Sequence, residues 1–107
     1  MSTVKDVTDK TFVDEVVMNP KPTLVDYWAD WCSPCKQLSP IIDELAASHG
    51  DSINFVKIDT NANTQIPTEQ GILSLPTLQV WQGGRVVKVI QGAKTKGALL
   101  KVLDEYL

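Results

Sequence analysis

Leu24-Val25-Asp26-Tyr27-Trp28-Ala29-Asp30-Trp31-Cys32-Ser33-Pro34-Cys35-Lys36 is the stretch on which the fold turns. Residues Thr23–Ala29 are almost continuously apolar, the pattern of a strand covered on both faces of a sheet. Beyond the turn, Leu38, Ile41, Ile42, Leu45 and Ala46 recur at helical spacing and predict a helix ending near His49-Gly50. Both of the chain's cysteines therefore stand at a strand-to-helix junction. Backbone N–H groups without helical partners, and the positive end of the helix dipole, gather at such a junction. Both stabilise a thiolate, the reactive form of sulfur. A second thiol three positions on is close enough to close a disulfide. The unit is built to alternate between dithiol and disulfide.

Working outward, Thr3–Val7 predicts a short edge strand. Phe12, Val13, Val16 and Val17 then recur at helical spacing, with Thr8 or Asp9 as the N-cap. Asn19-Pro20-Lys21-Pro22 ends that helix. Pro34 suits the first turn of the helix after the cysteines, and Pro40, inside it, is expected to kink it. Ile53–Asp59 reads as a second inner strand, and the polar run Thr60–Gln70 as holding a short helix before Gly71. Pro76 opens a strand over Thr77–Gln82, which Gly83-Gly84 joins as a hairpin to Arg85–Gln91. Thr95 caps a last helix carrying Ala98, Leu99, Val102, Leu103 and Tyr106. The order β-α-β-α-β-α-β-β-α predicts an α/β fold. Its β-α-β segments imply parallel pairing and its hairpin adds antiparallel strands, so the sheet is mixed.

A chain of 107 residues holds one domain, residues 1–107, and is too short for two. With 43% hydrophobic residues it can build a core without staples. A bridge across so short a loop would also remove little entropy from the unfolded chain. Cys32 and Cys35 are thus explained by chemistry rather than by stability. The net charge is −3 and the basic residues are scattered, which argues against nucleic acid. No apolar run is long enough to span a membrane. Met1–Asp6 lacks the apolar core of a signal peptide, so a cytoplasmic location is expected. No heptad pattern is present and a monomer is expected. Zinc needs at least three protein ligands. The chain offers two cysteines and one histidine, His49, a full helix away; no metal site is expected, and His49 suits a helix C-terminus.

Three further residues stand out. Asp26 lies in the most apolar strand, where an acid is costly unless paired or protonated. It is either an acid satisfied by neighbouring donors or a group of raised pKa that exchanges protons with a thiol, and the adjacent C-x-x-C favours the second. Alternation places Leu24, Asp26 and Trp28 on one face, which leads to the cysteine turn. Lys57, in the next inner strand, either pairs with Asp26 or extends its ammonium to an edge. Pro76 by itself reads as a proline opening a strand after an ordinary trans bond.

Together, Asp26, Trp28, Ala29, Trp31-Cys32-x-Pro34-Cys35-Lys36, Pro40, Lys57, Pro76-Thr77, Gly84 and Gly92 resemble the thioredoxin family over essentially the whole chain. The resemblance implies the thioredoxin fold, a central mixed sheet of about five strands flanked by about four helices. It implies a cis Pro76 packed against the disulfide, an exposed nucleophile at Cys32 and a buried resolving thiol at Cys35. Asp26, tuned by Lys57, would assist proton transfer at Cys35. Trp31, Ser33 and Pro34 would form the redox turn. Trp31, Leu75, Pro76, Gly92 and Ala93 would contact disulfide-containing protein substrates, and Trp28, Pro40 and Gly84 would be structural. The implied activity is general protein-disulfide reduction. The resemblance also implies that no cofactor is bound and that electrons come from NADPH through a thioredoxin reductase. The chain departs from the family's usual pattern at Ser33, where glycine is commonest, and at Thr60, Ser74, Leu75 and Trp81. A Ser33 hydroxyl could stabilise the Cys32 thiolate and make the pair more oxidising, while loss of glycine stiffens the turn. Two alternatives remain on the sequence alone: an oxidase or isomerase on the same fold, and a non-catalytic docking module.

Overall fold

A computed structural model describes residues 3–107. Five strands form one sheet: β1 (Lys5–Val7), β2 (Thr23–Trp28), β3 (Asn54–Asp59), β4 (Thr77–Gln82) and β5 (Arg85–Gln91). Their spatial order is β1-β3-β2-β4-β5. The strands β1 and β2 both run parallel to β3, while β2 and β4, and β4 and β5, are antiparallel. The helices are α1 (Ser33–His49), α2 (Gln65–Glu69) and α3 (Lys96–Leu103), with a π-type turn at Val13–Val17 and a 3₁₀ turn at Asp104–Tyr106.

The sheet separates two cores. On one face Leu24, Phe55, Leu78 and Val80 meet Leu38, Ile42 and Leu45 of α1 and Leu99 and Leu103 of α3. On the other, Val25, Tyr27, Val56, Ile58 and Trp81 meet Phe12 and Val16 of the π-type turn and Ile66 of α2. Burial on both faces explains why β2 has no polar alternation. Trp81, where the family commonly has phenylalanine, packs edge-on against Phe12, with ring centroids 5.5 Å apart. Its ring N–H donates to Gln79 Oε1 at 2.9 Å, and the Tyr27 hydroxyl donates to the same oxygen at 2.7 Å. Both buried donors are thereby satisfied by one amide.

Several boundaries differ from the sequence reading. The edge strand is Lys5–Val7 rather than Thr3–Val7, because pairing covers only Val56–Ile58 of β3. Thr8 does cap the chain after β1: its Oγ1 accepts the Thr11 N–H at 3.2 Å. Asp9 does not. Its carboxylate accepts the N–H groups of Gln65 at 3.1 Å and Ile66 at 2.9 Å, capping α2 from across the molecule. The segment before β2 closes as a π-type turn, with the Met18 N–H reaching Val13 C=O at 2.9 Å. Thr95 caps α3 as expected, its Oγ1 accepting the Ala98 N–H at 3.1 Å, but α3 stops at Leu103 and Tyr106 lies in the 3₁₀ turn. Helix α1 runs on through Pro40, which sits on its exposed side. Gly83 and Gly84 have φ of 64° and 81°, the left-handed conformation both central residues of a two-residue type I′ hairpin need. The register of β4 with β5 shifts between Val80 and Trp81. That bulge sends Val86 to one core and Ile90 to the other.

Candidate functional site

Cys32 is the N-cap of α1, in extended backbone, and its Sγ accepts the Cys35 N–H at 3.2 Å. Ser33 and Pro34 form the first helical residues; Pro34 is tolerated there because no helical partner is needed for its missing N–H. Cys32 and Cys35 are joined as a disulfide, with Cα atoms 5.3 Å apart. That N–H stands at the positive end of a 17-residue helix, an environment that favours a thiolate at the Cys32 sulfur. The expected contrast between an exposed Cys32 and a buried Cys35 is absent. Each is only 4% exposed, because Ala29, Trp28 and Leu75 pack around both. Ser33 is exposed, and its side chain makes no hydrogen bond among the described residues.

Asp26 lies beneath this turn. It is 5% exposed and its Oδ1 has no partner among the described residues. A cavity of about 180 Å³ links it to Cys35, and Trp28, Ala29, Lys36 and Lys57 also line it. The Trp28 ring N–H, likewise buried, has no partner among the described residues. The cavity is roomy and polar enough to hold water between such groups. Burial pushes the Asp26 carboxyl from its ordinary 3.8 up to about 7; the Lys57 ammonium opposes that rise and the Asp43 carboxylate adds to it. Asp26 and Lys57 are register partners across β2 and β3. They form no ion pair among the described residues; the Lys57 Nζ lies 5.8 Å from the centre of the Trp28 ring. Of the two sequence alternatives for Lys57, direct pairing with Asp26 is not seen among the described residues; its ammonium extends over the Trp28 ring, and its charge opposes the rise at Asp26. The alternation argument for β2 is borne out, since Asp26 and Trp28 line the same cavity under the cysteine turn.

The Leu75–Pro76 peptide bond is cis, which overrides the plain reading of Pro76 and agrees with the resemblance. Pro76 is buried, and Leu75, one residue earlier, packs against the cysteine pair. Gly92 donates its N–H to Pro76 C=O at 2.9 Å, so the Gly92-Ala93 turn is brought to the Pro76 loop. Trp31 is 68% exposed. Its ring N–H donates to Asn61 Oδ1 at 3.1 Å, while Asn61 donates to Asp30 Oδ1 at 3.0 Å from its amide and to Asp59 Oδ1 at 2.9 Å from its backbone. Asn61 and Asp30, in turns, and Asp43, on the exposed side of α1, are not singled out by the sequence. Exposed polar residues carry no apolar periodicity, and only tertiary contact gives them a role. Thr60 is held by the backbone N–H and hydroxyl it donates to Trp28 C=O. Among the described residues no group of three or more His, Cys, Asp or Glu is placed to hold a metal ion.

Comparison with known proteins agrees with this geometry. The thioredoxin family model matches residues 3–105. A thioredoxin of Streptomyces clavuligerus is 47% identical over 98 residues, 92% of this chain and 91% of that protein. Thioredoxin 1 of a Nostoc species is 41% identical over 107 residues, the whole of both chains. A bifunctional thioredoxin reductase/thioredoxin of Mycobacterium leprae is 41% identical over 100 residues, 94% of this chain but 22% of that protein. The chain belongs to the thioredoxin family, and its Cys32–Cys35 pair is the redox centre of a protein-disulfide oxidoreductase that works by dithiol–disulfide exchange.

Proposed function

We propose that the chain is a general protein-disulfide reductase. The Cys32 thiolate attacks one sulfur of a substrate disulfide, forming a mixed disulfide and expelling the other substrate sulfur as a thiolate. Cys35 loses its proton and attacks Cys32 Sγ. The second substrate thiolate leaves, and Cys32–Cys35 holds the two-electron oxidation. The observation that carries this reading is the asymmetry of the pair. Cys32 Sγ faces the N-terminal N–H of α1, while Cys35 shares a cavity with the buried Asp26. A thiolate is favoured at the first position and a proton acceptor is available at the second.

Asp26 takes the Cys35 proton directly or through cavity water, because a carboxyl at about 7 can both accept and release protons near neutral pH. Lys57 keeps it from rising further. Trp31, Leu75, Pro76, Gly92 and Ala93 receive the segment that carries the substrate disulfide. A thioredoxin reductase restores the dithiol with electrons from NADPH, and the protein itself binds no cofactor. The Mycobacterium leprae relative, whose name joins the two activities, supports that partner. We further place the protein, as a monomer, in the cytoplasm, where such a reductase keeps thiols reduced; no described helix is long and apolar enough to cross a membrane.

Two experiments test the reading. Cys35→Ser is expected to accumulate mixed disulfides through Cys32, while Cys32→Ser abolishes turnover; trapping through neither cysteine would overturn the assigned roles. Equilibration with dithiothreitol, followed by tryptophan fluorescence and thiol counting, gives the reduction potential. A value near about −270 mV, the figure associated with thioredoxin in general and not worked out from this geometry, supports a reductase; about −180 to −120 mV would favour an isomerase or oxidase.

A further inference from the structure

Leu73 is 95% exposed, more than any other large apolar side chain among the described residues. Scattered exposed leucines are ordinary. This one is held in place. Ile72 donates its N–H to Pro67 C=O at 2.9 Å, and Thr77 Oγ1 donates to Ser74 C=O at 2.6 Å, so the loop is tied on both sides of Leu73. Ile72 and Leu75 pack inward against the core on the α2 face. With those two turned in, Leu73 is turned out and cannot fold back without releasing its neighbours. It stands two residues from Leu75, which packs on Cys32 and Cys35.

The surroundings indicate what such a side chain meets. No residue from Gln70 to Gly84 is charged. A charged partner group placed along this loop would lose water and gain no counter-charge from it. The cysteines are only 4% exposed, so a substrate disulfide must come close to react, laying its flanking residues on the rim. That rim carries Trp31 on the cysteine side and Leu73 and Leu75 on the loop side. Leu73 lies two residues from Leu75, at most about 7 Å along the chain, and Leu75 packs on the cysteine pair, so the residues flanking a substrate cysteine would meet the part of the rim on which Leu73 stands.

We propose that Leu73 is a specificity-determining residue that selects disulfides flanked by an apolar side chain. The proposal rests on the reductase reading above and adds a substrate class to it. An apolar flank buries area against Leu73, whereas a polar or charged flank gains nothing there.

The test uses three disulfide-bridged peptides that differ only in the residue beside one cysteine, Leu, Ser or Glu. The wild-type protein is expected to reduce the Leu peptide about tenfold faster in kcat/KM than the Ser peptide, as burial of part of a leucine side chain implies. In Leu73→Ser that ratio should fall to about two or less, with the thermal midpoint reporting that the fold is kept. In Leu73→Lys the Glu peptide should overtake the Leu peptide, an outcome a merely structural role could not produce. A wild-type ratio near one, or a ratio unchanged in Leu73→Ser, would overturn the proposal. Hydroxyethyl disulfide, which has no flanking residue, separates the two levels. If the wild-type protein reduces it and the peptides without preference, only the role of Leu73 fails; if it reduces none of them, the reductase reading fails and this proposal with it.

Discussion

Replacing Asp26 by asparagine removes a buried charge while keeping the side chain's shape, and the structure sets the size and pH dependence of the result. The carboxyl is ordinarily half-ionised at 3.8, and burial in the folded protein moves that point to about 7. Below 3.8 the acid is neutral in both states and contributes nothing. Between 3.8 and about 7 the unfolded chain releases the proton and the folded one keeps it, so stability falls as pH rises. Above about 7 the loss is complete. At about 1.4 kcal/mol per pH unit, the cost of Asp26 is about 4 kcal/mol at pH 8, about 2 kcal/mol at pH 5 and close to nothing below pH 4. Asp26→Asn should therefore be more stable than wild type by about 4 kcal/mol at pH 8 and by about half of that at pH 5. Guanidinium denaturation of the oxidised proteins, followed by tryptophan fluorescence, measures both. The amide has one donor more than the protonated acid, an offset that does not vary with pH, so the change in the difference between pH 5 and pH 8 isolates the charge. A stability difference that does not change with pH would refute the reasoning, because it would mean that Asp26 ionises equally well folded and unfolded.

Other substitutions probe the contacts around the site. Gln79→Leu leaves the Tyr27 hydroxyl and the Trp81 ring N–H buried without an acceptor, and a loss of about 3 kcal/mol is expected in the same denaturation assay. Asp9→Ala removes the cap of α2 and should cost about 1 kcal/mol, with faster amide exchange at Gln65 and Ile66. Asn61→Ala frees the Trp31 ring from its anchor; KM for a protein disulfide should rise about fivefold while the reduction potential stays put, and the Trp31 indole N–H should shift and broaden by NMR.

Much of the fold was legible because its signals are local. The apolar run of β2, the helical spacing of Leu38, Ile42 and Leu45, and the paired glycines of the β4–β5 hairpin each depend on residues a few positions apart. The cysteine turn was legible for the same reason. A cysteine just ahead of a helix is an N-cap wherever that helix packs, and the Cys35 N–H contact follows from helix geometry. The displaced boundaries fall where one residue has two possible partners. Asp9 fits the N-cap pattern of its own segment, yet it caps a helix 56 and 57 positions further along the chain.

Local residue patterns are enough to specify the kinds of elements, their order, and a reactive cysteine pair beside a misplaced acid. The tertiary structure alone places β3 between β1 and β2, sets β4 antiparallel to β2, and joins the Gly92 turn to the Pro76 loop, whose Leu75 packs on the cysteines. It also decided the state of Asp26. Ionisation depends on how much water is removed and which charges stand nearby, and here α1 and β3 supply both the covering and the opposing effects of Asp43 and Lys57. Exposure is of the same kind. Leucines 73 and 75 are identical in sequence terms, but one packs on the disulfide and the other projects into solvent, because the hydrogen bonds that tie their loop assign the inward and outward positions.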